Sequence, residues 1–167
     1  MKAIKLALCI LGLLICMSCS KKPIQQNLVL RLGAEPTFLN PILATDSASS
    51  SVNGYVFNGL LKVDSDMNLV PDLAQSYELS EDKKTLTFKL RDNVAFHDGR
   101  LFSAYDVKFT FDTILDSKTN TVRRSDYIID GKPLEFNVID NFTIQIKLPK
   151  PFAPILYRLT MGIIPKH

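Results

Sequence analysis

The stretch from Ala74 to Leu115 limits what this chain can fold into more than any other. Two alternating runs, Ser76 to Leu79 and Thr85 to Arg91, flank the polar tetrad Glu81-Asp82-Lys83-Lys84 and predict an antiparallel hairpin. Successive side chains of a strand point to opposite faces, so Leu86, Phe88 and Leu90 share one face, and Thr85, Thr87, Lys89 and Arg91 the other. His97-Asp98-Gly99-Arg100 reads as a turn. Ser103 then starts a helix as N-cap, and Asp106 three residues on complements the open amides of its first turn. Ala104, Val107, Phe111, Ile114 and Leu115 recur at helical spacing and give that helix one apolar stripe.

Other elements follow the same two periods. Leu28 to Leu32 is a first strand, broken by Gly33-Ala34-Glu35-Pro36-Thr37. Val52, Tyr55, Val56, Gly59 and Leu60 recur at helical spacing, which predicts a helix from about Ala48 to Asn58. Lys62 to Asp64 and Asn68 to Val70 flank the turn residues Ser65-Asp66-Met67. Residues 116–125 are polar, and their Arg123-Arg124 pair reads as an exposed loop rather than an anion site, because no glycine-rich cradle accompanies it. Leu134 to Val138 and Phe142 to Leu148 make a second hairpin, with Phe142, Ile144, Ile146 and Leu148 on its buried face. Pro149 and Pro151 end it, and Ala153 to Met161 is a short helix with Pro154 in its first turn.

The first residues belong to export rather than to the fold. Lys2 and Lys5 precede the apolar run Leu6 to Ile15, and Ser18 stands just before Cys19. Residues 1–18 thus read as a secretory signal with a lipoprotein-type end, Cys19 as the lipid acceptor and 19–27 as a polar tether. The run falls short of the ~20 residues that span a bilayer. An ordinary cleaved signal that leaves Cys19 free is the other reading. Cleavage removes Cys9 and Cys16, so of the three cysteines only Cys19 remains and no disulfide can form. It also removes two of the basic residues behind a net charge of +3, which leaves nothing that points to nucleic acid.

The residues offer little reaction chemistry. Neither of the two histidines, His97 and His167, has a second His or Cys at ligand spacing, so no metal and no cofactor is expected. His97 reads as a turn-stabilising residue. No nucleophile sits in an activating context, and the chain is not expected to be an enzyme.

The order Thr85-Leu86-Thr87-Phe88-Lys89-Leu90-Arg91, then Phe96-His97-Asp98-Gly99, then Phe102-Ser103-Ala104-Tyr105-Asp106-Val107 resembles the signature of the peptide-type extracytoplasmic solute-binding proteins. These are receptor subunits of ATP-driven (ABC) importers for oligopeptides, dipeptides, nickel and related solutes. Leu39-Asn40-Pro41 and Asn58-Gly59-Leu60 are similar to the family's Leu-Asp-Pro and Glu-Gly-Leu. Members run to roughly three times this length, more than one core usually supports, so the chain of 167 residues is expected to be an N-terminal fragment.

The resemblance implies a mixed α/β, periplasmic-binding-protein-like fold of class II. Residues 28–45 would give the first strand and hinge side of a large lobe, 46–160 the small lobe, and 161–167 the start of the return strand. It further implies a ligand held between two closing lobes, with Thr45, Asp46 and Ser47 lining the cleft and Tyr127 reaching it from a loop. Asp46 would meet a ligand amine or cationic side chain, and Thr45 and Ser47 a peptide backbone; Asp46 and Ser47 are equally ordinary helix N-cap residues. Implied partners are a short peptide, ABC permease subunits and a membrane reached through the lipid anchor, with the complete protein a periplasmic monomer. The alternatives are a receptor for nickel or another small solute, or a surface lipoprotein or inactive truncated product without a transport role.

Overall fold

A computed structural model describes residues 29–167; the signal segment 1–18, Cys19, the tether 19–27 and Leu28 lie outside the described residues. Leu32–His167 form one compact unit. Its centre is the hairpin of β3 (Ala74–Leu79) and β4 (Thr85–Leu90), whose alternation buries Leu86, Phe88 and Leu90 as the sequence predicts. The second hairpin, β7 (Glu135–Asp140) and β8 (Thr143–Lys147), joins it through a β4–β8 pairing, so a four-stranded antiparallel sheet runs β3-β4-β8-β7. The shared register sets Phe88 opposite Ile144 and Leu86 opposite Ile146, which puts the apolar faces of both hairpins on one side.

That side is covered by α2 (Ala104–Leu115). Ala104, Val107, Phe111 and Ile114 are fully buried against the sheet, and the Phe111 ring stacks on Phe136 at 4.3 Å. The helix starts where the sequence says, with the Ser103 amide and hydroxyl both donating to Asp106 Oδ2 at 2.9 and 3.0 Å. The preceding turn is closed by Asp98 and Gly99 rather than His97: the Arg100 amide donates to Asp98 Oδ1, and Gly99 sits at φ 87°, which a side chain would strain.

Other elements agree in kind and differ in detail. β1 (Leu61–Val63) and β2 (Leu69–Pro71) pair around the loop at Asp64, whose Oδ1 accepts from the Asp66 and Asn68 amides. α1 (Ser47–Val56) forms, but its buried face is Ala48, Ser49 and Asn53, and Tyr55 is 72 % exposed. The apolar spacing was therefore not the packing face: α1 lies on the 37–44 segment, where Phe38 donates its amide to Ser49 Oγ at 3.0 Å and polar groups satisfy one another. The loop expected over 116–125 gives way to a 3-10 helix, Val122–Tyr127, followed by a small hairpin of β5 (Ile128–Ile129) and β6 (Lys132–Pro133). α3 covers only Ile155–Arg158 of the span expected to be helical.

One expectation fails outright. Residues 29–32 carry no strand, and Val29, Leu30 and Leu32 are exposed. They pair with no other described segment, and an extended run without a ladder for its amides and carbonyls has nothing to hold it as a strand.

Candidate ligand-binding site

Leu39-Asn40-Pro41 opens a tight turn that feeds α1. Asn40 is its acceptor: its carbonyl takes the Leu43 and Ala44 amides at 3.1 and 3.0 Å, and its Oδ1 takes the Ile42 amide at 3.1 Å. The turn is then fastened from across the unit. Arg123 Nε donates to the Pro41 carbonyl at 3.0 Å, Arg123 Nη2 to the Ala44 carbonyl at 2.7 Å, and Thr121 Oγ1 to the Ile42 carbonyl at 2.6 Å. A guanidinium offers its donors in a rigid fork, which suits it to carbonyls that no helix or sheet takes up.

Asp46 follows as the N-cap of α1. Its Oδ1 accepts from the Ser49 amide at 2.8 Å and its Oδ2 from the Ser49 hydroxyl at 2.6 Å. These bonds stabilise the charged carboxylate and bring its pKa down to about 2. Asp46 is thus ionised at any ordinary pH and held in one orientation. Thr45 and Ser47 on either side of it are exposed.

Beside this turn, between α1, the 3-10 helix and the chain that follows α3, lies a cleft of about 400 Å³. Ala44, Ser50, Asn53, Arg123, Tyr157 and Thr160 are among its lining residues. Ser50 and Gly54 of α1 line the cleft, and Ser47, one turn before Ser50, lies outside its lining. Asn53 is 6 % exposed; its Nδ2 reaches the Phe38 carbonyl at 3.5 Å and its Oδ1 has no partner. Arg158 lies 4.9 Å over the Phe152 ring and donates to the Asp126 carbonyl.

Tyr127 also borders the cleft, but from the end of the 3-10 helix and not from a loop. Its ring is 2 % exposed and packs edge-on against Phe111 at 5.0 Å, while its hydroxyl donates to the Arg158 carbonyl at 2.8 Å. Burial, with the charge of Asp126 behind it, pushes the phenol above its usual pKa, so it stays a neutral donor.

Of the residues expected to bind, only Tyr127 lines this cleft; Thr45, Asp46 and Ser47 stand at the start of α1 outside its lining, and the cleft adds Asn53, Arg123 and Tyr157, which the sequence did not single out as binding residues. Arg123 and Arg124 were legible only as an exposed pair; both are half-buried and bond backbone carbonyls, Arg124 those of Asp116 and Thr119. Among the described residues no group of three or more His, Cys, Asp or Glu is placed to hold a metal ion. What the cleft offers is hydrogen-bond donors and hydroxyls in an open, partly apolar trough.

Comparison with known proteins gives this arrangement a context. Residues 68–167 match the family model described as bacterial extracellular solute-binding proteins, family 5, middle part. The glutathione-binding protein GsiB of Escherichia coli (strain K12) is 34 % identical over 131 residues, which are 78 % of this chain and 25 % of GsiB. The ABC transporter substrate-binding protein CtaP of Listeria monocytogenes superposes with a TM-score of 0.73 at 34 % identity, over 80 % of this chain and 27 % of that one. The oligopeptide-binding protein AppA of Bacillus subtilis, solved with a nonapeptide, gives 0.72 at 28 % identity over 80 % of this chain and 26 % of AppA. The chain thus spans about a quarter of the length of the relatives it matches.

Proposed function

Since the chain belongs to the bacterial extracellular solute-binding proteins of family 5, we propose that it forms part of an exported receptor that captures short peptides for an ABC importer. The observation that carries this reading is the match, over about four fifths of the chain, to relatives whose ligands are glutathione and a nonapeptide. In this reading residues 46–160 are the small lobe of a two-lobed clamp, 28–45 lie on the hinge side of the large lobe, and 161–167 begin the return to it. Thr45 and Ser47 offer hydroxyls to a peptide backbone, and Asp46 offers its ionised carboxylate to an amine. Tyr127 shapes the wall beneath them. Closure of a second lobe over the trough would exclude water and strengthen each of these contacts.

The receptor acts by binding, delivers its peptide to permease subunits, works as a monomer and is tied to the membrane through a lipid on Cys19. Calorimetric titration of the full-length receptor with mixed short peptides should give heat that saturates. Silence with peptides and heat with a nickel–histidine complex would replace the peptide reading by a metal-chelate one. Radiolabelled palmitate incorporated by the wild type and lost in Cys19→Ala would support the anchor.

A further inference from the structure

The segment Ile163 to His167 forms neither helix nor strand, yet the amides of Ile163, Ile164 and Lys166 each have a partner. The Ile163 amide donates to the Asn58 carbonyl at 2.9 Å, the Ile164 amide to Thr110 Oγ1 at 3.0 Å and the Lys166 amide to Asp106 Oδ1 at 2.9 Å. Pro165, between the last two, has no amide to satisfy and biases Ile164 towards extended backbone. Two side chains of α2 therefore do for this segment what a neighbouring strand would do.

Both are polar residues where the helix is otherwise apolar. Asp106 is 5 % exposed and Thr110 fully buried. They stand one helical turn apart, about 6 Å along the axis. Amides two residues apart in an extended chain stand about 7 Å apart, so a segment running antiparallel to α2 meets both acceptors in turn. Asp106 divides its carboxylate between two tasks, Oδ2 for the Ser103 cap and Oδ1 for Lys166. Thr110 Oγ1 donates to the Asp106 carbonyl at 2.8 Å, which aims its lone pairs at Ile164.

We propose that Asp106 and Thr110 are positioning residues for solute capture: a two-point side-chain clamp that fixes the direction in which residues 163–167 leave the small lobe. The part of this claim that concerns capture rests on the receptor reading, in which that segment is one arm of the hinge. The clamp sets the resting angle of the arm, and it can yield bond by bond, because no continuous ladder has to break when the lobes move.

Amide exchange measured by NMR on this chain tests the clamp. Thr110→Val, which keeps the shape and removes the acceptor, should speed exchange at Ile164 by about tenfold, the order of one lost hydrogen bond to a half-buried group, while Lys166, held by Asp106, stays protected. Amides of β4 and β8 should hold their protection, and Thr110→Ser should restore the wild-type pattern. Ser103→Ala should loosen the start of α2 while leaving Lys166 protected. Unchanged exchange at Ile164 in Thr110→Val would overturn the clamp, as would a rise shared equally by Leu86 and Ile144, which marks general loosening. In the complete receptor, Thr110→Val should alter the rate of lobe closure, read by fluorescence energy transfer between labelled lobes; an unaltered rate would overturn the part in capture. A receptor that binds no peptide, with Ile164 responding as described, would remove the solute reading and leave the clamp standing.

Discussion

Replacing Arg123 by alanine tests whether the turn before α1 is held from across the unit. The substitution deletes two charge-assisted hydrogen bonds, to the carbonyls of Pro41 and Ala44, at 3.0 and 2.7 Å. A bond to a charged group contributes roughly 1.5 to 3 kcal/mol when water is excluded. Here the guanidinium is half-buried and lines an open cleft, so water replaces part of the loss and about 2 kcal/mol in total is the reasonable figure. For a unit of this size that lowers Tm by about 6 to 10 °C in a circular-dichroism melt. Arg123→Lys keeps the charge but replaces the fork by a single ammonium, and should recover about half of the drop. A Tm for Arg123→Ala within about 1 °C of the wild type would refute the reasoning, because no fraction of two such bonds is that small. Thr121→Ala, which removes the neighbouring bond to the Ile42 carbonyl at 2.6 Å, supplies the internal scale for a neutral contact on the same turn.

Three further outcomes follow from the same geometry. Asp46 has its pKa lowered from 3.8 to about 2, so its contribution is complete above 3.8 and is lost as the pH falls towards about 2. Asp46→Asn, a cap without a titrating group, should flatten that acid limb of a stability-against-pH curve, and an identical limb in both proteins would sink the idea. A methyl group on Gly59 would stand 2.6 Å from the Thr160 carbonyl carbon and oxygen. Those are backbone atoms that cannot swing aside, so Gly59→Ala should lose about 2 kcal/mol in denaturant unfolding. Phe111→Ala should cost about 3 to 5 kcal/mol, because it removes the ring that stacks on Phe136 and meets Tyr127, and a smaller loss would mean that α2 is not docked there.

Much of the scaffold was legible because its signals are local. The alternation in Thr85 to Arg91 and the Ser103–Asp106 cap each specify their element within a few residues, and both elements form as read. The small β5–β6 hairpin also carried a local signal, Asp130-Gly131 at φ 50° and 72°, a pair favoured where both turn residues need positive φ; its arms are too short to show alternation. What the sequence hid is non-local and polar. Nothing near Arg123 announces that its partners are carbonyls 79 and 82 positions away. Ser49 and Asn53 look like the solvent face of α1, and become its buried face only because the 37–44 segment returns over them.

The same contrast separates the sheet from the walls of the cleft. Around the sheet, ladders and close-packed apolar side chains hold every strand to its neighbour. Around the cleft, the 41–44 turn and the start of α1 have only local backbone bonds, and with the end of α3 they are tied to their surroundings by side-chain-to-backbone bonds of Arg123, Thr121, Asp46 and Tyr127. Each such bond contributes about 1 kcal/mol, enough to hold a donor or acceptor in place and little enough to be exchanged during a movement. A wall assembled this way is pre-oriented without being locked. Amide exchange should therefore divide the unit in two, with Phe88, Ile144 and Ile146 protected to the limit of global stability and Leu43, Ala44 and Ile164 opening well before it; equal protection throughout would show that the cleft wall is as rigid as the sheet.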